Sequence, residues 1–205
     1  MSLTDTQIKE LCKKMNTPLA GVFFKDEIPN ALEKNKVYFI NLDDEYDEAG
    51  SLNSGSHWTC FVIMKYPNGE LAPMYFDSYG CPPPEGCKEK MMKASKKKVP
   101  FSTKDIQSVM ANACGFYCTA WAHYIFNFSH RTGDIYLDTE MFLDYFEDLN
   151  KSTNFMKNEY ILKHFFQPAD PKLRKEITTI ADTNSITQDN NGGLDAFELP
   201  AMMHI

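Results

Sequence analysis

The chain has 205 residues, 43% hydrophobic and 24% charged, which fits one ordinary globular domain or one domain with appendages. Its net charge of −7 excludes wholesale coating of nucleic acid and leaves only a local basic patch as a route to such a partner. The longest apolar run, residues 115–128, is too short to span a bilayer and contains His123 and Asn127, and the polar start has no apolar core of a secretory signal. A soluble intracellular monomer is expected, with its six cysteines held as thiols and no membrane partner.

In chain order, residues 2–15 read as an amphipathic helix capped by Thr4 or Asp5. "KVYFINLDD", residues 36–44, is a strand of aromatic and β-branched residues ending in acids. Residues 43–56 turn acidic, then Gly/Ser/Asn-rich, and read as a loop. "HWTCFVIMKY", residues 57–66, is a nearly continuous apolar strand of the kind buried on both faces. "PNG" at 67–69 is a hairpin signal, and the returning strand runs to about Asp77, where "CPPPEG" cannot continue it. Residues 87–98 form a lysine-rich helix, a short strand is expected near Ile106, and "MANACGFYCTAWAHYIFNF", residues 110–128, makes a central buried helix. One or two aromatic-rich helices fill 138–166.

From about Gln167 the composition turns polar, so the division expected is a domain over 1–166 and a tail over 167–205, extended or linker-like. The order helix, strands, helices with hairpin connections indicates an α+β fold, a central mixed or antiparallel sheet flanked by helices, and not alternating βαβ units.

The chemistry concentrates at Cys114. A thiol at a helix N-terminus meets partial positive charge and unpaired N–H groups, which lower its pKa and favour the nucleophilic thiolate. Gly115 beside it would leave room for a substrate. Equally, a cysteine there can be a small buried hydrophobe. Of the five histidines, 57, 123, 130, 164 and 204, only His57 stands at the mouth of a strand after a flexible loop; His123 lies more than two turns along the helix of Cys114. Asp77 closes the returning strand of the hairpin that His57 opens, so the two share one sheet edge. A two-residue turn at Asn68–Gly69 would put them on opposite faces; an odd-length loop or a bulge puts them on one, and that is the expectation. Gln107, on the segment leading to the nucleophile, is a neutral donor for an oxyanion, with the Cys114 backbone N–H as the second.

"HW" after a Gly/Ser loop, "YFDSYG" twenty residues on and "IQSVMANACGFYC" together resemble the adenain family of viral maturation cysteine proteases, and "QIKELCKKM…FFKDEIP" resembles that family's start. The likeness covers roughly residues 5–130. The order His, acid, Gln, Cys is shared with SUMO-specific proteases, which usually carry Asp or Asn before the cysteine where this chain has Ala113. Similar proteases occur in virophages and Polinton-type elements. The resemblance implies a cysteine endopeptidase (thiol protease) with His57 as base, Asp77 as orienting acid in place of the family's Glu, Gln107 as oxyanion donor and Cys114 as nucleophile. It implies capsid or precursor proteins as substrates, cut after Gly-Gly or Gly-X during virion maturation, at assembly sites in the host cytoplasm or nucleus and in the virion. No cofactor is required by the sequence; by resemblance an activating peptide or DNA is expected.

Two readings compete. An isopeptidase acting on host ubiquitin-like proteins would use the same residues, since those proteins also end in Gly-Gly. A metal-binding structural module would use Cys81, Cys87, Cys114 and Cys118, but C-x5-C and C-x3-C spacings match metal sites poorly, so no metal ligands are assigned. Lys88, Lys90, Lys93, Lys96, Lys97 and Lys98 read first as a solvated helix face and second as a nucleic-acid track. Gly192–Gly193, the only Gly-Gly in the chain, follows Asn190 in a polar stretch and is a candidate autoprocessing site, with apolar "LDAFELPAMMHI" beyond it.

Overall fold

The chain begins its regular structure with a capping box. Thr4 Oγ1 accepts from the backbone of Gln7 at 3.2 Å, and Gln7 Oε1 accepts from the backbone of Thr4 at 2.9 Å, which starts α1 (Asp5–Lys14) at one defined residue. Ile8, Leu11 and Cys12 form its buried stripe. The structure, a computed structural model, describes residues 3–127, 132–151 and 155–165. The tail with Gly192 and Gly193 lies outside the described residues, as do His130 and His204.

Four strands form one mixed sheet in the order β1 (Leu19–Phe24), β2 (Val37–Asn41), β3 (Trp58–Lys65), β4 (Leu71–Phe76). β1 runs parallel to β2, and the other two pairings are antiparallel. β1 is absent from the sequence reading for a physical reason. It lies at the sheet edge, all six residues are half-buried so no alternation develops, and its ladder shifts between Leu19 and Gly21. β2 and the first six residues of β3 are buried throughout, as the apolar runs require of strands covered on both sides.

The β3–β4 hairpin turns through three residues, Pro67, Asn68 and Gly69, between Tyr66 and Glu70. The Tyr66 N–H donates to the Glu70 carbonyl and the Gly69 N–H to the Tyr66 carbonyl, both at 2.9 Å, with Gly69 at φ +84°. This is the odd-length loop. It pairs Cys60 with Phe76 and Lys65 with Leu71, so Asp77 falls on the face of Thr59 and therefore of His57.

One sheet face, with Phe39, Cys60, Val62, Met74 and Phe76, packs against α1, α3 (Cys114–Asn127) and α4 (Ile135–Leu143), and α5 (Phe155–Phe165) joins the same core through α3. The other, with Tyr38, Ile40, Phe61, Ile63 and Tyr75, is covered by Ile28, Leu32 and α2 (Glu85–Ser95). The fold is α+β, a mixed sheet between helices. Every residue of α3 from Cys114 to Ile125 is buried, which makes it the central helix. Its Trp121 stacks on Phe76 at 5.2 Å between ring centroids. α2 begins and ends earlier than its lysine pattern indicates, because Lys96 takes the left-handed conformation at φ 59° and stops it. Among the described residues no helix is long and apolar enough to cross a membrane.

Gly80 is a position where only glycine fits. It sits at φ +71°, and a Cβ there would lie 2.8 Å from the Thr103 backbone. Gly80→Ala is expected to lower unfolding stability by about 1–3 kcal/mol, read from denaturant melts.

Candidate active site

β4 leaves the ladder after Phe76, and the chain turns tightly through Asp77, Ser78, Tyr79 and Gly80, with the Gly80 N–H on the Asp77 carbonyl at 3.0 Å. Ser102 holds the turn from outside: its Oγ accepts from the Asp77 N–H at 2.9 Å and donates to the Asp77 carbonyl at 2.8 Å. The Asp77 carboxylate, buried at 2% side-chain exposure, is thereby fixed, and its Oδ1 accepts from the Tyr79 N–H at 2.8 Å and pairs with His57 Nε2 at 2.9 Å.

With Nε2 taken by Asp77, Nδ1 is the imidazole nitrogen left for Cys114, whose thiol interacts electrostatically with the same ring. Cys114 is the first residue of α3, so its backbone N–H has no intrahelical acceptor. Its Sγ accepts from the Trp58 N–H at 3.4 Å. Burial opposes ionisation of this thiol. The His57 ring and its charge, with the Trp58 and Gly115 N–H groups, outweigh burial and hold its pKa below the ordinary value. Burial likewise disfavours the His57 cation, but its interactions with the acceptors Asp77 and Cys114 prevail and raise its pKa to about 9. The arrangement favours a thiolate beside an imidazolium.

Gln107 is placed differently from expectation. The segment around Ile106 is not a strand. It is stitched to the turn by the Ile106 and Gln107 N–H groups, which both donate to the Ser78 carbonyl at 2.8 and 3.2 Å. Both donors of the Gln107 amide are engaged, one on Tyr79 Oη at 3.0 Å and one on the Ala111 carbonyl at 2.6 Å, while its Oε1 accepts from Ser78 Oγ at 2.8 Å. The bond to Ala111 closes the loop from Gln107 to Ala111, just ahead of Cys114.

Three further residues belong to the site. Tyr79 stacks its ring on His57 at 4.7 Å between centroids, an arrangement that favours the charged imidazole, and its hydroxyl meets Gln107. Trp58 and Ser78 contribute as described. Their signal in the sequence was adjacency to His57 and Asp77, which the residue types alone did not rank. Gly115 has a different purpose from the one its small size indicates. A Cβ there would meet Leu3 at 3.0 Å and Trp58 at 3.3 Å, so protein, and not substrate, fills the space.

The remaining candidates lie elsewhere. His123 is buried, with Nδ1 3.0 Å from the Met15 carbonyl, and burial lowers its pKa. Cys87 is on the buried face of α2, on the opposite side of the sheet from Cys118. Among the described residues no three His, Cys, Asp or Glu side chains are grouped to hold a metal. Lys88 pairs with Glu85 at 3.1 Å, Lys97 with Glu70, and Lys90 donates to the Ile28 carbonyl; Lys93, Lys96 and Lys98 are exposed.

No family model and no curated protein matches the chain. Among solved structures it is similar to the selenomethionine crystal structure of the ASFV pS273R protease, at 19% identity and a TM-score of 0.30, over 45% of this chain and 36% of that one. A likeness of that extent carries no argument for activity, which rests on the geometry of the chain's own residues.

Proposed function

We propose that the chain is a cysteine peptidase with Cys114 as nucleophile, His57 as general base and acid, and Asp77 as the carboxylate that orients His57. The reading rests above all on the Cys114 thiol at a helix N-terminus beside an imidazole tied to a buried carboxylate. The thiolate attacks the scissile carbonyl carbon, and the oxyanion forms next to the Cys114 N–H. His57 gives its proton to the leaving amine, leaving a thioester. Water, losing a proton to His57, then attacks the thioester and releases the acid and the thiol. Gln107 serves as second oxyanion donor by exchanging its bond to Tyr79 Oη for one to the substrate, while the Ala111 bond holds it in place.

The substrate class comes from the resemblance to adenain-type enzymes: viral precursor or capsid proteins cut after Gly-Gly or Gly-X. Peptides ending in those residues, set against ubiquitin-like reporters, separate this from the isopeptidase reading, and preference for a bulky residue before the scissile bond rejects both. The chain's own Gly192–Gly193 is the first candidate substrate. Wild type should lose residues 194–205 by intact mass, and Cys114→Ala should not.

Cys114→Ala should abolish peptide cleavage, whereas Cys118→Ser should retain it. Cleavage by the serine variant alone being lost would reassign the nucleophile. Asp77→Asn should lower kcat/KM by less than His57→Ala does, because the thiolate–imidazolium pair persists without the carboxylate. Gln107→Ala should cost about 10²–10³ in kcat if the amide reaches the oxyanion; an unchanged kcat removes it from that role.

The activity profile should rise from acid pH as Cys114 loses its proton, below the ordinary thiol value, and fall as His57 loses its proton near pH 9. The His57 pKa is raised above its unfolded value of 6.5, so its ion pair stabilises the fold fully below about pH 6.5 and that contribution is lost as pH rises through about 9. Replacing Asp77 by Asn should move the alkaline limb to lower pH.

A further inference from the structure

The nucleophile is braced by a residue far from it in sequence. Leu3 is 3% exposed and packs with Trp58 against the first turn of α3, in the gap that Gly115 leaves open. Its carbonyl accepts the indole N–H of Trp58 at 2.7 Å. The direction of that carbonyl is not free, because the capping box at Thr4 fixes the chain at the next residue. Trp58 is thus held at two ends: its indole on Leu3, its backbone N–H on Cys114 Sγ. His57 is its immediate neighbour in the chain.

We propose that Leu3 is a positioning residue for the Cys114 nucleophile, clamping the Trp58 indole so that the Trp58 backbone N–H stays on the sulfur and His57 stays aligned with it. The Trp58 indole is almost wholly buried, at 8% exposure for the residue, so deleting its N–H leaves the Leu3 carbonyl without its partner inside the protein. The side chain of Leu3 does the complementary work of filling the space over Gly115. Removing either loosens the hydrogen bond to the sulfur, and the thiolate loses a donor that water cannot supply in the same geometry.

The inference builds on the peptidase reading, but its test needs no substrate. Alkylation of Cys114 by iodoacetamide is followed by peptide mass against pH, with exposed Cys81 as internal reference. Trp58→Phe keeps the ring and deletes the donor; Leu3→Ala empties the space; Leu3→Met refills it. In wild type, Cys114 should react faster than Cys81 near pH 6. Trp58→Phe and Leu3→Ala should slow Cys114 about tenfold there, which is one unit of thiol pKa, with Cys81 unchanged. Leu3→Met should restore the rate to within about twofold of wild type, an outcome that general loosening of the fold would not give. Unchanged Cys114 rates in folded Trp58→Phe and Leu3→Ala overturn the proposal and leave the peptidase reading standing. Should Leu3→Ala not melt cooperatively, Trp58→Phe and Leu3→Met decide alone. A wild-type Cys114 no faster than Cys81 instead overturns the peptidase reading.

Discussion

The parting of β4 from β3 after the Cys60–Phe76 pair is the constraint on which the site depends. Continued by two residues, the ladder would set Ser78 opposite Trp58. Instead Ser78, still buried, leaves the ladder and gives its carbonyl to the backbone of residues 106 and 107. Trp58 is left with an N–H and a C=O to satisfy inside the protein, and two sulfurs of α3 take them. Cys114 Sγ accepts the N–H at 3.4 Å, and Cys118, one helical turn on, donates to the C=O at 3.3 Å. The first turn of α3 thus docks where a strand would have run. That docking brings the thiol to the histidine at the mouth of β3, and the same parting frees Asp77 to reach that histidine from its own strand end.

What was legible in the sequence follows from this. Strands β2 and β3 and helix α3 announce themselves because burial on both sides leaves continuous apolar runs, and β4 follows as the return of the hairpin that Pro67-Asn68-Gly69 marks. The placement of His57 and Asp77 together needed only strand parity and a loop length, and Pro67-Asn68-Gly69 supplies the odd count. Periodicity could not reveal β1, whose residues are uniformly half-buried, nor the irregular path of residues 102–107, which owes its shape to side-chain bonds from Ser102 and to the Ser78 carbonyl. The same limit applies to Gly115 and Leu3. A glycine read locally suggests an open path, while the contact that requires it comes from a residue more than a hundred positions away.

The thiols separate into distinct environments for one physical reason, the balance of burial against donors. Cys60 and Cys118 are wholly buried and burial pushes both up, as it does Cys12 and Cys87, each to about 12. Cys114 is buried as well, yet it alone among them is lowered, because an imidazole and two backbone N–H groups point at its sulfur. Depth alone therefore leaves a cysteine inert, and directed donors reverse that. Tyr79 belongs to the same balance, covering one face of the imidazole without competing for its nitrogens.

The bond from the Gln107 amide to the Ala111 carbonyl bears on how kindred chains are to be found. It closes a loop of fixed size ahead of Cys114, so an insertion between Gln107 and Ala111 would break it. By contrast, the chain between Gly80 and Phe101 carries α2 over the far face of the sheet and returns, and only its two ends are tied to the turn. A search pattern should accordingly allow no insertion in the four residues after the glutamine, let the aspartate-to-glutamine interval vary widely, and tie the histidine to the aspartate by an odd hairpin loop and not by a fixed number of residues.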